Sequence, residues 1–353
     1  MKHHELITIG LVWLVMGVLI LPADARRVRE QSDIQLELTS ATNIVVLLLD
    51  GIQITKDDFE INKPWVYHMA QELIKNPQII ANFFATYLSS VAYSLNEDLS
   101  DLEQRLQKKD GDFYNSLVGK LKKCITISAG ATTLHVFDQK LYQFLDDLLA
   151  DKIQAKDYTL TVKDVCCSIG LEPYQIAAII YDRLAFYAES IGENSEDFIS
   201  KWDINIYAYD ISMEALYMTG RGIYLASDSF FEEMFIRQAL DTFKNIGNYV
   251  TCFEELPDRG ELIEVTALLK GWVKPIYIDL ADAIEIANVV LHPAELIIFS
   301  SPIAYPLVEM TATVNKYLSD FAFNKDYPGL LITGWGMYKE GLDYISISKD
   351  ESI

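Results

Sequence analysis

The sequence predicts an α+β chain, mainly helical in its first half and mixed in its second. Two patterns carry that expectation. Between residues 55 and 192 apolar side chains recur at three- and four-residue spacing, as one buried helix face requires. Residues 204–209 instead alternate with a period of two, as a half-buried strand does. At 353 residues, half of them hydrophobic, the chain is long enough for two or three domains with a sizeable core. Its net charge of −22 argues against nucleic-acid binding, because phosphate contacts need clustered Lys and Arg.

The N-terminus has the layout of a secretory signal peptide. A short polar start precedes an apolar run over residues 6–21, then Ala23-Asp24-Ala25 forms an A-x-A cleavage pattern before Arg26-Arg27. Cleavage after Ala25 and export to a periplasmic, surface or secreted location are expected. The alternative is an uncleaved anchor that keeps the chain near a membrane, since the run is only slightly short of a span.

Residues 26–42 are polar and read as a lead-in. The apolar, β-branched stretch 43–49 reads as a short strand, with Asp50-Gly51 as the turn after it. Helices follow. Thr55…Asp58 and Ser100…Glu103 have capping-box spacing, and Thr161…Asp164 reads as a further cap. Leu134, Phe137, Leu141, Leu145 and Leu148 share one helix face, and Gly170 marks a break. Beyond residue 201 the character changes. A strand is expected at 204–209 and a capped helix from Ser229, with Phe231, Phe235, Ala239 and Phe243 on one face. Closing strands are expected at 297–299 and 304–308. The division is therefore a helical domain over 43–200, an α+β domain over 201–318 and a C-terminal segment over 319–353.

Chemistry-bearing patterns are sparse. Asp50 follows an apolar run, as a metal-binding aspartate does in hydrolases, but the further Asp and His ligands that such a site needs are missing. No metal site or cofactor is expected. Cys124, Cys166, Cys167 and Cys252 read as buried or disulfide-bonded thiols, with three connectivities open. Gly220-Arg221-Gly222 lacks the third glycine of a dinucleotide fingerprint and reads as a turn. His68 and His135 lie on apolar helices and read as packed or surface residues. Phe83, Phe84, Tyr87 and Tyr93 read first as core and second as a groove for apolar polypeptide segments.

Several short motifs occur in an order that resembles the exported SurA/PrsA-type foldases, which join a helical chaperone domain to a parvulin-type prolyl isomerase domain. They are DGIQITKDDF at 50–59, LNEDLSDLE at 95–103 and LTVKDV at 160–165. In the second half, residues 204–211, 235–256, LKGW at 269–272, HPAEL at 292–296 and AYPLV at 304–308 resemble parvulin segments. The match spans roughly residues 43–310, and each motif is short and degenerate. Residues 281–308 are also similar to the C-terminal part of ROK-type sugar kinases and repressors, without their ATP motifs.

The foldase resemblance implies a parvulin-like fold over 201–318 and a pocket or groove including Tyr209, Asp210, Trp272, Tyr305, Phe83, Phe84 and Tyr87. It assigns no catalytic residue, because the family's two core histidines fall on Asp210 and Pro306. The implied function is an exported chaperone that binds unfolded or partner polypeptides and lacks normal isomerase activity. An active prolyl isomerase and an exported protein with one fixed partner are the alternatives.

Overall fold

The protein, seen in a computed structural model, is described over residues 31–59, 64–109, 111–127, 139–225, 250–256, 260–280, 293–300, 326–327, 329–334 and 342–347. It is α+β and divides into two units. One comprises Met1–Ser128, Ile211–Glu214 and Ile276–His292; the other comprises Ala129–Asp210, Ala215–Pro275 and Pro293–Ile353.

The first unit is built of helices α1 (Gln31–Leu49), α2 (Pro64–Lys75), α3 (Pro77–Ser94), α4 (Leu99–Leu106) and α5 (Gly111–Thr126). The stretch expected as a strand is the last part of α1. Ile44, Val45 and Leu48 are fully buried at helical spacing, while Val46 faces solvent. A short apolar run cannot be assigned to strand or helix by periodicity alone. Asp50-Gly51 is a turn, as expected, but it closes this helix, and the exposed Asp50 carboxylate pairs with Lys109 at 2.8 Å. Thr55…Asp58 caps a single 3-10 turn, Lys56–Asp58, with Thr55 N–H donating to the Asp58 carboxylate at 2.7 Å. The cap of α4 is Asp98, which accepts from Asp101 N–H at 2.8 Å, two residues before the Ser100 expected there. Helix α1 packs on α3, α4 and α5.

The second unit is organised by a six-stranded sheet. Helix α6 (Gln139–Ala155) leads in, with Leu141, Leu145 and Leu148 fully buried on the expected face. Strand β1 (Thr159–Val165) follows, then α7 (Leu171–Ile191), α8 (Ser195–Ile199) and β2 (Asp203–Asp210). Helix α9 (Met213–Arg221) precedes a small antiparallel sheet of β3 (Ile223–Leu225), β4 (Val250–Leu256) and β5 (Gly260–Val265). Helix α10 (Ala267–Trp272) then leads into β6 (Val273–Tyr277), β7 (Leu296–Ser300), β8 (Gly329–Gly334) and β9 (Leu342–Ile347). Residues 159–165 are thus a strand where a helix cap was expected. Thr159 and Thr161 alternate with Leu160 and Val162, which suits a pleated surface, and the spacing of Thr161 and Asp164 matches a cap by coincidence.

The large sheet has the order β6-β2-β1-β7-β8-β9. Strand β1 runs parallel to β2 and β7, β7 parallel to β8, and β9 antiparallel to β8. The strands expected at 204–209 and 297–299 are β2 and β7. The boundary expected at 200/201 falls inside this sheet, because β2 hydrogen-bonds along its length to β1. The second boundary, at 318/319, separates β7 from its parallel partner β8. The expected helix after Ser229, the strand at 304–308, Tyr305, His135 and the N-terminal apolar run lie outside the described residues. No described helix is long and apolar enough to cross a membrane.

Candidate functional site

Counted within the large sheet, the chain visits β1, β2 and β6 on one side, then β7, β8 and β9 on the other. That is the strand order 3-2-1-4-5-6 of doubly wound nucleotide-binding sheets; β2, β1, β7 and β8 run parallel and β9 antiparallel to them. In such sheets ligands bind outside the carboxyl ends of the strands, where the strand order reverses. Here the reversal lies between β1 and β7, and Val165 is in register with Tyr209 of β2 and Phe299 of β7.

The chain leaving β1 there makes an unusual turn. Cys166, Ser168 and Gly170 have φ values of 70°, 51° and 87°, so three alternate residues are left-handed although only one is glycine. A β-carbon costs roughly 1–2 kcal/mol in that conformation, so the loop must be held by its surroundings. The amides of Cys166 and Cys167 both donate to the Tyr209 carbonyl, at 2.8 and 2.9 Å. Ser168 N–H donates to the Asp210 carboxylate at 2.9 Å. Tyr224 hydroxyl donates to the Ile169 carbonyl at 2.8 Å, and Tyr174 hydroxyl to the Thr219 carbonyl at 2.6 Å. Gly170 opens α7 and cannot be replaced without a clash: a β-carbon there would lie 2.4 Å from Thr219 Oγ1.

Carboxylates surround this loop. Asp164, the penultimate residue of β1, is fully buried, and neither of its oxygens has a hydrogen-bond partner among the described residues. Glu172, in the first turn of α7, is 1% exposed. Gln175, one helical turn on, is fully buried, and neither of its amide atoms has a hydrogen-bond partner among the described residues. Asp210 ends β2. Burial, reinforced by the charges of Glu172 and Asp210, holds the Asp164 carboxyl well above the usual carboxylate range. Burial and the same carboxylates push the Cys166 and Cys167 thiols up, so neither is a thiolate nucleophile at neutral pH. Lys163 leaves the opposite face of β1, where burial brings its amine down to about 7.

Of the residues expected to form a site, Tyr209 and Asp210 belong to this cluster: one supplies a carbonyl, the other a carboxylate. Trp272 is buried at the end of α10 in the same unit, its ring 6.5 Å from that of Tyr181. Phe83, Phe84 and Tyr87 lie in the first unit and are core residues, at 8%, 0% and 5% exposure. Phe84 and Tyr87 pack on Tyr277, which belongs to the same unit, at 4.9 and 5.7 Å between ring centres. Tyr93, in contrast, is exposed, as is His68. Cys124, Cys166 and Cys167 are thiols rather than disulfide partners. Gly220-Arg221-Gly222 ends α9 in a turn with Gly222 at φ 59°. Among the described residues no group of His, Cys, Asp and Glu could hold a metal ion.

Sequence reasoning missed Asp164, Glu172, Gln175 and the loop between them. The available signal was D-V-C-C-S-I-G-L-E at 164–172, directly after a β-branched run. No family model matches this chain, and the search of curated proteins returns no match.

Proposed function

We propose that the second unit binds a nucleoside cofactor with a cationic tail, S-adenosylmethionine, and serves methyl transfer. The observation that carries this is a carboxylate-lined loop at the reversal point of a 3-2-1-4-5-6 sheet. Its position supports nucleoside binding: an acidic residue ending the second strand is where doubly wound sheets hold a ribose, and Asp210 ends β2. Its charge selects the tail. A dinucleotide or nucleoside triphosphate brings phosphates, which need backbone amides and cations rather than carboxylates. In this loop the Cys166, Cys167 and Ser168 amides are already spent within the protein. A sulfonium and an ammonium group meet Asp164, Glu172 and Asp210 favourably. Gln175, whose amide atoms have no hydrogen-bond partner among the described residues, can bond the carboxylate of an amino-acid tail through its NH2. When bound, the cofactor supplies an electrophilic methyl group; the protein's residues hold and orient it.

Calorimetry tests this reading. S-adenosylmethionine and S-adenosylhomocysteine should both bind, ATP and NAD should not. Equal binding of ATP or NAD, or binding of none of the four, overturns it.

The foldase resemblance supports a second reading, an exported chaperone for unfolded or partner polypeptides. Besides the motif order, what favours it is Tyr93, an aromatic at 56% exposure. It calls for suppression of client aggregation, with or without faster proline-limited refolding, and for a mature chain that begins at Arg26.

A further inference from the structure

The cluster at the end of β1 has a consequence for how cofactor and spent product are told apart, which rests on the cofactor reading above. Its three carboxylates are not equivalent. Asp210 accepts a hydrogen bond from Ser168 N–H and is only partly buried, so its anion is supported. Glu172 sits in the first turn of α7, where the helix dipole favours negative charge. Asp164 has neither aid. It is fully buried and accepts no hydrogen bond among the described residues. Facing it across the sheet are Ala208 of β2 and Ile298 of β7, both apolar. From the loop and α7 it meets the neutral thiols Cys166 and Cys167 and the charge of Glu172, and from β2 that of Asp210. Lys163 projects from the other face of the strand. Burial and like charges nearby disfavour the ionised carboxylate, so the cluster favours keeping a proton, above all on Asp164.

A cation entering this site removes the reason for that proton. S-adenosylmethionine carries a sulfonium charge, whereas S-adenosylhomocysteine, the same molecule without its methyl group, is a neutral thioether at that atom. We infer that the Asp164–Glu172–Asp210 cluster exchanges a bound proton for the sulfonium charge, so that it holds the cofactor and releases the product in a pH-dependent way. Cofactor affinity then rises with pH by about tenfold per unit for one linked proton, while product affinity stays flat. The preference for cofactor over product widens in the same proportion.

The test is calorimetry of the full chain with each ligand in turn, at about pH 6 and about pH 7.5, in buffers of different ionisation heat. The expected result is release of about one proton with S-adenosylmethionine and almost none with S-adenosylhomocysteine. Asp164→Asn should abolish the pH dependence and bring the two affinities together. Glu172→Gln, outside the strand, should weaken it, and serves if the Asp164 variant does not fold. Binding of both ligands with the same pH-independent affinity ratio overturns the exchange and leaves cofactor binding standing. Failure of both ligands to bind at either pH overturns cofactor binding and the exchange with it.

Discussion

Lys152 should be the most damaging single position in the second unit. Its side chain is fully buried in α6, with Nζ 2.8 Å from Glu295 and 2.9 Å from Asp157, and 3.8 Å from the centre of the Tyr327 ring. Glu295, 3% exposed, also accepts from Thr161 N–H at 2.9 Å, and its own N–H donates to the Thr161 carbonyl at 3.0 Å. This group therefore ties the start of β7 to β1, the two strands that flank the candidate site. Lys152→Met removes the cation and leaves Glu295 charged and buried. Breaking one partner of such a pair costs about 3–5 kcal/mol. Urea unfolding followed by circular dichroism measures the loss. Adding Glu295→Gln should recover part of it, because a neutral amide no longer needs the cation and still accepts from Thr161. Acid gives a second readout. Burial raises the Asp157 carboxyl, but hydrogen bonds from Lys152, Thr159 and Tyr327 outweigh it and bring it down to about 2. A depressed carboxyl stabilises the fold fully above about pH 4 and loses that contribution as pH falls toward 2. Lys152→Met should flatten this acid limb. A variant within about 1 kcal/mol of the parent, with an unchanged acid limb, would refute the reasoning.

Three further outcomes are expected. Gly170→Ala should cost more than the roughly 1–2 kcal/mol of a left-handed alanine, because its β-carbon would sit 2.4 Å from Thr219 Oγ1; thermal melts of Gly170→Ala with and without Thr219→Ala separate the two contributions. Phe84→Ala should lose about 3–5 kcal/mol in denaturant titration, as a core aromatic does, whereas a groove residue would lose client binding with little change in stability. Asp50→Asn should change stability by less than about 1 kcal/mol, since its pair with Lys109 is exposed on both sides, and elemental analysis should find no metal lost.

What was legible in the sequence follows from which signals are local. Strands β2 and β7 were readable because alternation and β-branched runs report directly on pleated, buried backbone. Strand β1 was hidden by a chance capping spacing, and the end of α1 by an apolar run that suits either structure. The candidate site was hidden for a different reason. A glycine search looks for residue identity, whereas what sets the loop after β1 apart is its conformation: left-handed backbone at 166, 168 and 170, filled by Cys, Ser and Gly. Groups distant in the sequence, Tyr209 and Asp210 from β2, Thr219 from α9 and Tyr224 from β3, stabilise that shape, and nothing in the local sequence announces them. The foldase resemblance sets Asp210 where a histidine is expected; in the structure it ends β2 and accepts from Ser168 N–H at 2.9 Å.

The most direct measurement is photo-crosslinking of S-adenosylmethionine to the full chain, followed by tryptic mapping. Cleavage after Lys163 and Arg183 isolates residues 164–183, which carry Asp164, the loop, Glu172 and Gln175. Saturable label on that peptide, displaced by S-adenosylhomocysteine and not by ATP, is the predicted result. Label confined to peptides from residues 31–127, or no saturable label anywhere, would contradict the account.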